Sequence, residues 1–201
     1  MIRGMQKQAW AFLLIGFGIG FGVLYMWTKQ RAPEVVRAMP SPVGTVSQAA
    51  GPAEPPPPPL DVARVKELQD QIKANPKNFD ALTEMGNIQF DQKNFKDAAN
   101  WYTQALDVRP GDEDLRTDLG TALFYDDRFD EAIAQFKKTL EANPVHPQAM
   151  FNIGVVLVHG KNDLQGALQY WEKLVETNPN YSQIDIVKEQ IRIVKEQLNQ
   201  K

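Results

Sequence analysis

The chain predicts an all-α fold, a right-handed solenoid of stacked helix–turn–helix units, and three observations carry that expectation. Gly86, Gly120 and Gly154 stand 34 residues apart (120 − 86 and 154 − 120). A small residue, a ring and a proline follow each glycine in register: Ala98, Ala132 and Ala167; Tyr102, Phe136 and Trp171; Pro110, Pro144 and Pro179. Amphipathic segments lie on both sides of this array. A pattern repeated at a period of roughly 20–50 residues marks a solenoid, in which each unit buries its apolar face against its neighbours.

The elements follow in chain order. Residues 1–8 are a short tail. Ala9 to Trp27 carries no charged side chain, and a helix of that length spans about 28 Å, enough for a bilayer core. Trp10 near one end and Tyr25 and Trp27 at the other suit the two membrane interfaces. Trp27-Thr-Lys-Gln-Arg31 follows where a signal peptide would place small residues for cleavage, so residues 9–28 are expected to be a retained transmembrane helix. Gly16, Gly18, Gly20 and Gly22 form two small-xxx-small pairs that permit packing against another membrane helix. Residues 29–59 hold most of the prolines and end in Pro55–Pro59, a stiff, extended spacer.

Residues 60–77 form a half-unit that caps the array: Leu68 lies 34 before Tyr102, and Pro76 lies 34 before Pro110. Three full units are expected at 79–112, 113–146 and 147–181. The third contains one inserted residue in the His159–Asn162 turn, because its later steps are 35. The last segment, 182–201, reads as a capping helix. Ser182 with Asp185 suggests a capping box, and Ile184, Val187, Ile191, Val194 and Leu198 make one apolar stripe. Arg116 occupies a place that Leu82 and Met150 fill in the other units, so the middle unit is expected to pack less tightly there unless the aliphatic stem lies flat and the guanidinium reaches water.

The stretches Met85-Gly86, Leu119-Gly120 and Ile153-Gly154, with Ala98…Tyr102…Ala105…Pro110 and its two later counterparts, resemble the tetratricopeptide repeat (TPR) family across roughly residues 79–181. The resemblance implies that the first helix of each unit lines a concave groove that binds a protein segment. Counting around each glycine, the groove residues would be Thr83, Asn87, Phe90 and Asp91 in the first unit, with Asp80 and Glu84 at its edge. Thr117, Thr121, Phe124 and Tyr125 would serve in the second, beside Asp114 and Asp118. The third would contribute Phe151, Asn152, Val155 and Val158, beside Gln148 and His159. Tyr125 is expected to be less committed to the helix pair than Phe124. Family members that clamp acidic chaperone tails use groove Lys, Arg and Asn; Asn87 and Asn152 stand here without a Lys or Arg. The implied partner is therefore a protein or peptide with apolar and basic residues. The anchored architecture is similar to TPR subunits of bacterial envelope assemblies, and Ala167–Leu174 with Pro179 is similar to TPR factors of cytochrome c maturation.

Composition bounds the chemistry. Residues 60–201 carry 17 Lys/Arg against 23 Asp/Glu, a net −6, whereas the first 59 carry five against two, a net +3. An acidic soluble part argues against nucleic acid, whose binding rests on phosphate neutralisation. The chain has no cysteine. His146 and His159 stand apart from any spaced ligand set, and Asp112-Glu113-Asp114 and Asp126-Asp127 read as helix-end residues. Neither an enzyme, a cofactor nor a metal is expected. The function read here is a single-pass, membrane-tethered interaction adaptor. The short leader before the span and the proline-rich spacer after it favour an extracytoplasmic (periplasmic) soluble part, whereas Lys29, Arg31 and Arg37 after the span against Arg3 and Lys7 before it favour a cytoplasmic one. The alternative is a structural or assembly subunit of a membrane complex.

Overall fold

Eight α-helices make up residues 57–200, the part of the chain described by the structure, a computed structural model. They are α1 (Val62–Ala74), α2 (Phe79–Asp91), α3 (Phe95–Val108), α4 (Glu113–Tyr125), α5 (Phe129–Ala142), α6 (Pro147–Lys161), α7 (Leu164–Thr177) and α8 (Ile184–Asn199). The expected membrane segment, its glycines Gly16, Gly18, Gly20 and Gly22, and the spacer up to residue 56 lie outside the described residues. No helix among the described residues is long and apolar enough to cross a membrane.

Each helix packs on the next, and α4 also touches α6 directly. The expected pairs are thus α2/α3, α4/α5 and α6/α7, stacked in order, with α2, α4 and α6 forming the inner row. One core threads the stack, built from Leu82, Ala98, Ala105, Leu119, Ala132, Phe136, Ile153 and their neighbours. The half-unit caps it as expected: Leu68 of α1 is fully buried against Ala81 and Met85 of α2.

The repeat glycines explain the pairing. A Cβ built on Gly86 would lie 2.4 Å from the Tyr102 ring, on Gly120 2.6 Å from Phe136, and on Gly154 2.2 Å from Trp171. In every unit, the ring of the second helix occupies the space that a side chain on the first would need. The rings cannot swing aside. Phe136 and Trp171 are fully buried, and Trp171 Nε1 donates to the Phe151 carbonyl at 3.0 Å. Gly160 plays the same part between units: its Cβ would meet Phe129, a ring from the unit before, at 2.5 Å.

Helix starts and stops keep the register too. Asn78, Asp112 and His146 are the N-caps of the three inner helices, accepting from the N–H groups of Ala81, Leu115 and Ala149. Lys93, Asp127 and Asn162 close the inner helices with left-handed backbone, φ 61°, 59° and 53°. The insertion in the third unit is absorbed by a longer helix, α6, which runs to Lys161 before the same left-handed turn.

Three local expectations change. Helix α8 begins at Ile184 with Gln183 as N-cap and no side-chain cap bond, so Ser182 and Asp185 make no capping box. Tyr181 instead ties this entrance to the third unit, its hydroxyl donating to Gln148 Oε1 at 2.8 Å. Asp126 and Asp127 close the C-terminal end of α4, where a negative charge is disfavoured by the helix dipole; Arg128 Nη1, 3.7 Å from Asp126, offsets it. Arg116 is half-buried, and its guanidinium is held by protein groups, donating to the Pro110 carbonyl and, at 3.5 Å, to Gln135. The apolar stripe of α8 stands: Val187 and Val194 are fully buried.

Gly120→Leu should therefore lower the stability of the array by about 1–3 kcal/mol or more, since overpacking a filled site displaces Phe136. Thermal melting checks this, and an unchanged midpoint would contradict the glycine–ring fit.

Candidate functional site

The inner face is assembled by the N-caps and left-handed turns just described, which present one side of α2, α4 and α6 in parallel. Its expected residues do not share one fate. In the first unit Asn87 and Asp91 are exposed, and Thr83, Glu84 and Phe90 are half-buried. In the second, Phe124, Tyr125 and Asp118 are half-buried, whereas Thr117 and Thr121 are buried. In the third, Phe151, Asn152, Val155 and Val158 are all buried. The open part of the face thus belongs to α2 and α4.

The buried members have structural work. Thr117 Oγ1 donates to the Glu113 carbonyl, and Thr121 Oγ1 donates to the Thr117 carbonyl, both at 2.9 Å. Asn152 Nδ2 donates to Thr121 Oγ1 at 3.1 Å, which pins α6 to α4, while its Oδ1 accepts from Gln148 at 3.0 Å. Phe151 stacks near Trp171, ring centres 6.4 Å apart. The expectation that these residues line an open groove is corrected by this burial. Position on the inner helix was legible; the depth added by packing against the next unit was not.

A run of rings crosses the units where the inner helices end. Phe90 meets Phe95 edge-on at 5.3 Å and Tyr125 at 5.6 Å; Tyr125 stacks on Phe95 at 4.8 Å. Phe124 continues it to Tyr125, Phe129 and His159. Tyr125 is therefore not the less committed ring. It joins the first unit to the second, and removing it would loosen the stack.

The carboxylates around this face differ in their surroundings. Glu84 is clasped by Arg64 of α1, with Nε to Oε1 at 2.5 Å and a second bond from Nη2, which holds its carboxyl below the usual range. Asp114 receives His146 Nε2 at 3.3 Å. Because the Ala149 amide donates to His146 Nδ1, the ring proton of neutral His146 sits on Nε2 and points at Asp114. The lone-histidine reading missed this cap, since histidine is an uncommon N-cap; its place 34 residues after Asp112 was the available signal. Asp118 lies deeper. Burial first, and then Asp114 and Asp112, push its carboxyl up to about 6. Tyr102, whose hydroxyl donates to Asn87 Oδ1 at 2.9 Å, is raised by burial and by Asp118 and Asp91. His159 is lowered by burial. Thr83 Oγ1 is buried without a hydrogen-bond partner among the described residues. No group of three or more His, Cys, Asp or Glu side chains comes together there to hold a metal.

A sequence-family model described as tetratricopeptide repeat matches residues 65–113 and 117–182, more than half of the chain. The chain belongs to the tetratricopeptide repeat family. Solved TPR structures agree in fold. A crystal structure of MamA is 18% identical, with TM-score 0.55, covering 68% of this chain and 87% of that one. The first TPR domain of human RPAP3 is 23% identical, with TM-score 0.55, covering 63% and 96%. The first TPR of Spaghetti (RPAP3), solved with the HSP90 peptide SRMEEVD, is 23% identical, with TM-score 0.54, covering 60% and 93%. No curated protein matches the chain. At these identities the likeness establishes the TPR fold alone.

The raised pKa of Asp118 gives a pH signature. Its carboxyl titrates higher in the fold than the ordinary value of 3.8. The folded state therefore loses stability as pH rises from about 4 to about 6 and ionisation becomes costly. Asp118→Asn should stabilise the protein by about 1–3 kcal/mol at pH 8 and by almost nothing below pH 4. Urea unfolding at the two pH values decides; an equal effect at both would contradict the burial of an ionised carboxylate.

Proposed function

We propose that the protein is a membrane-tethered adaptor that holds a segment of a partner protein on the inner face of its repeats. The observation that carries this reading is the open face of α2 and α4, which carries exposed Asn87 and Asp91 together with the half-buried rings of Phe90, Phe124 and Tyr125. Half-buried aromatics beside exposed polar groups are what interface anchors require. Spaghetti, a structure of the same fold, was solved with a bound peptide. The tether rests on the uncharged run Ala9–Trp27, and the proline-rich stretch is the spacer between membrane and repeats. The leading arrangement puts the repeats on the extracytoplasmic side.

A second reading is a fixed subunit of a membrane complex. The paired glycines Gly16/Gly20 and Gly18/Gly22 favour it, because they fit helix–helix packing within a bilayer. An exchangeable partner and a fixed subunit differ in how tightly the neighbour stays after detergent extraction.

One experiment addresses both the tether and the face. A photo-crosslinking side chain is placed at Asn87, and separately at exposed Lys137 of α5, in membranes washed free of peripheral proteins. The adaptor reading expects the chain to remain in the washed membranes and a partner to be trapped from Asn87 but not from Lys137. Loss of the chain in the wash would remove the tether. Trapping from Lys137 alone would remove the inner face as the binding surface.

A further inference from the structure

Charge is divided unevenly between the inner helices and the rest of the stack. Helices α2, α4 and α6 carry Asp80, Glu84, Asp91, Glu113, Asp114 and Asp118 against Arg116 and Lys161. Both cations are engaged elsewhere: Arg116 on Pro110 and Gln135, and Lys161 on Asp130 at 2.6 Å. Among the acids, Glu84 is held by Arg64, Asp114 by His146, and Glu113 accepts from Asn143 at 3.1 Å. Asp80 lies 3.9 Å from Arg109. Asp91 and Asp118 have no ion-pair partner among the described residues.

These two carboxylates sit on neighbouring inner helices: Asp91 is exposed at the C-terminal end of α2, four residues after exposed Asn87, and Asp118 is half-buried on α4. Phe90 adjoins Asp91 in sequence, and its ring meets Tyr125 across the units. Carboxylates without ion-pair partners, on a face that also carries aromatic rings, are the chemistry that receives an ammonium or guanidinium group. On the reading of the inner face given above, we propose that the open face of α2 and α4 docks a cationic, apolar segment of a partner protein, with Lys or Arg side chains of that segment facing Asp91 and Asp118. The ring run takes the apolar residues of the same segment.

Two features support this choice of partner. A partly buried carboxylate without a counter-ion costs stability, and a docked cation offsets that cost. An acidic tail would meet the same carboxylates as like charges, which penalises it by repulsion. The protein thus differs in expected ligand from the neighbour solved with SRMEEVD, whose peptide carries adjacent glutamates and a terminal aspartate.

The test uses the full chain in non-ionic detergent and two synthetic helical peptides. They share the same leucines and alanines, and one carries lysines where the other carries glutamates. The lysine peptide should bind with an affinity that falls as salt rises, and the glutamate peptide should not bind. Asp118→Asn should weaken the lysine peptide about tenfold, in line with the loss of one partly desolvated charge pair. Asp97→Asn, an exposed acid on the outer helix α3, should leave it unchanged. Asp118→Lys should shift preference towards the glutamate peptide. Equal binding of both peptides, indifference of the lysine peptide to Asp118→Asn, or binding of neither would overturn the proposal. If crosslinking from Asn87 still traps a partner in that case, the charge assignment falls and the inner face stands. If that trapping fails as well, the inner-face reading falls with it.

Discussion

The structure depends on one steric fit repeated three times, a ring lying where a glycine has no Cβ. Tyr102 on Gly86, Phe136 on Gly120 and Trp171 on Gly154 set how closely the two helices of each unit approach. A mid-helix glycine costs about 1 kcal/mol relative to alanine, so the close approach must return more than that in buried ring area. Once the pairs are fixed, the alanines at 98, 132 and 167, all fully buried, allow the same approach from the opposite helix. The left-handed turns at Lys93, Asp127 and Asn162 then reverse the chain in the same way in each unit.

The inner face follows from this geometry. Pairing of α2 with α3 and of α4 with α5 leaves one side of each first helix uncovered by its own partner. Where the next unit covers it, as at Thr121 and Asn152, polar side chains bond to one another and to backbone and become part of the stack. Between α2 and α4 the face stays open, and the groups there are less well satisfied. Asp118 is partly buried without a cation, and Thr83 Oγ1 has no partner among the described residues. Groups held at a cost tend to mark surfaces kept for something other than stability.

Much of the architecture was legible in the sequence because it rests on residue type at fixed spacing. Glycine, alanine, ring and proline each have one physical role in the unit, and three copies in register leave little freedom. The half-unit at α1 was found by the same count, through Leu68. The site was less legible. The spacing placed Phe151, Val155 and Val158 on the inner helix but carried no information on how far packing would bury them. Tyr125 looked free of the helix pair because its ring partners, Phe90 and Phe95, come from another unit. His146 escaped notice as a cap because its imidazole does what Asn78 and Asp112 do with side-chain oxygens.

The fit of ring to glycine can be measured directly with a double-mutant cycle at Gly120 and Phe136. Urea unfolding would be followed for the wild type, Gly120→Ala, Phe136→Leu and the double variant. If the ring fills the place of the missing Cβ, Gly120→Ala is costly with Phe136 present and much less so in the Phe136→Leu background, giving a coupling of about 1 kcal/mol or more. Additive effects within about 0.3–0.5 kcal/mol would mean that glycine and ring do not share that space, and the account of the repeat would be wrong.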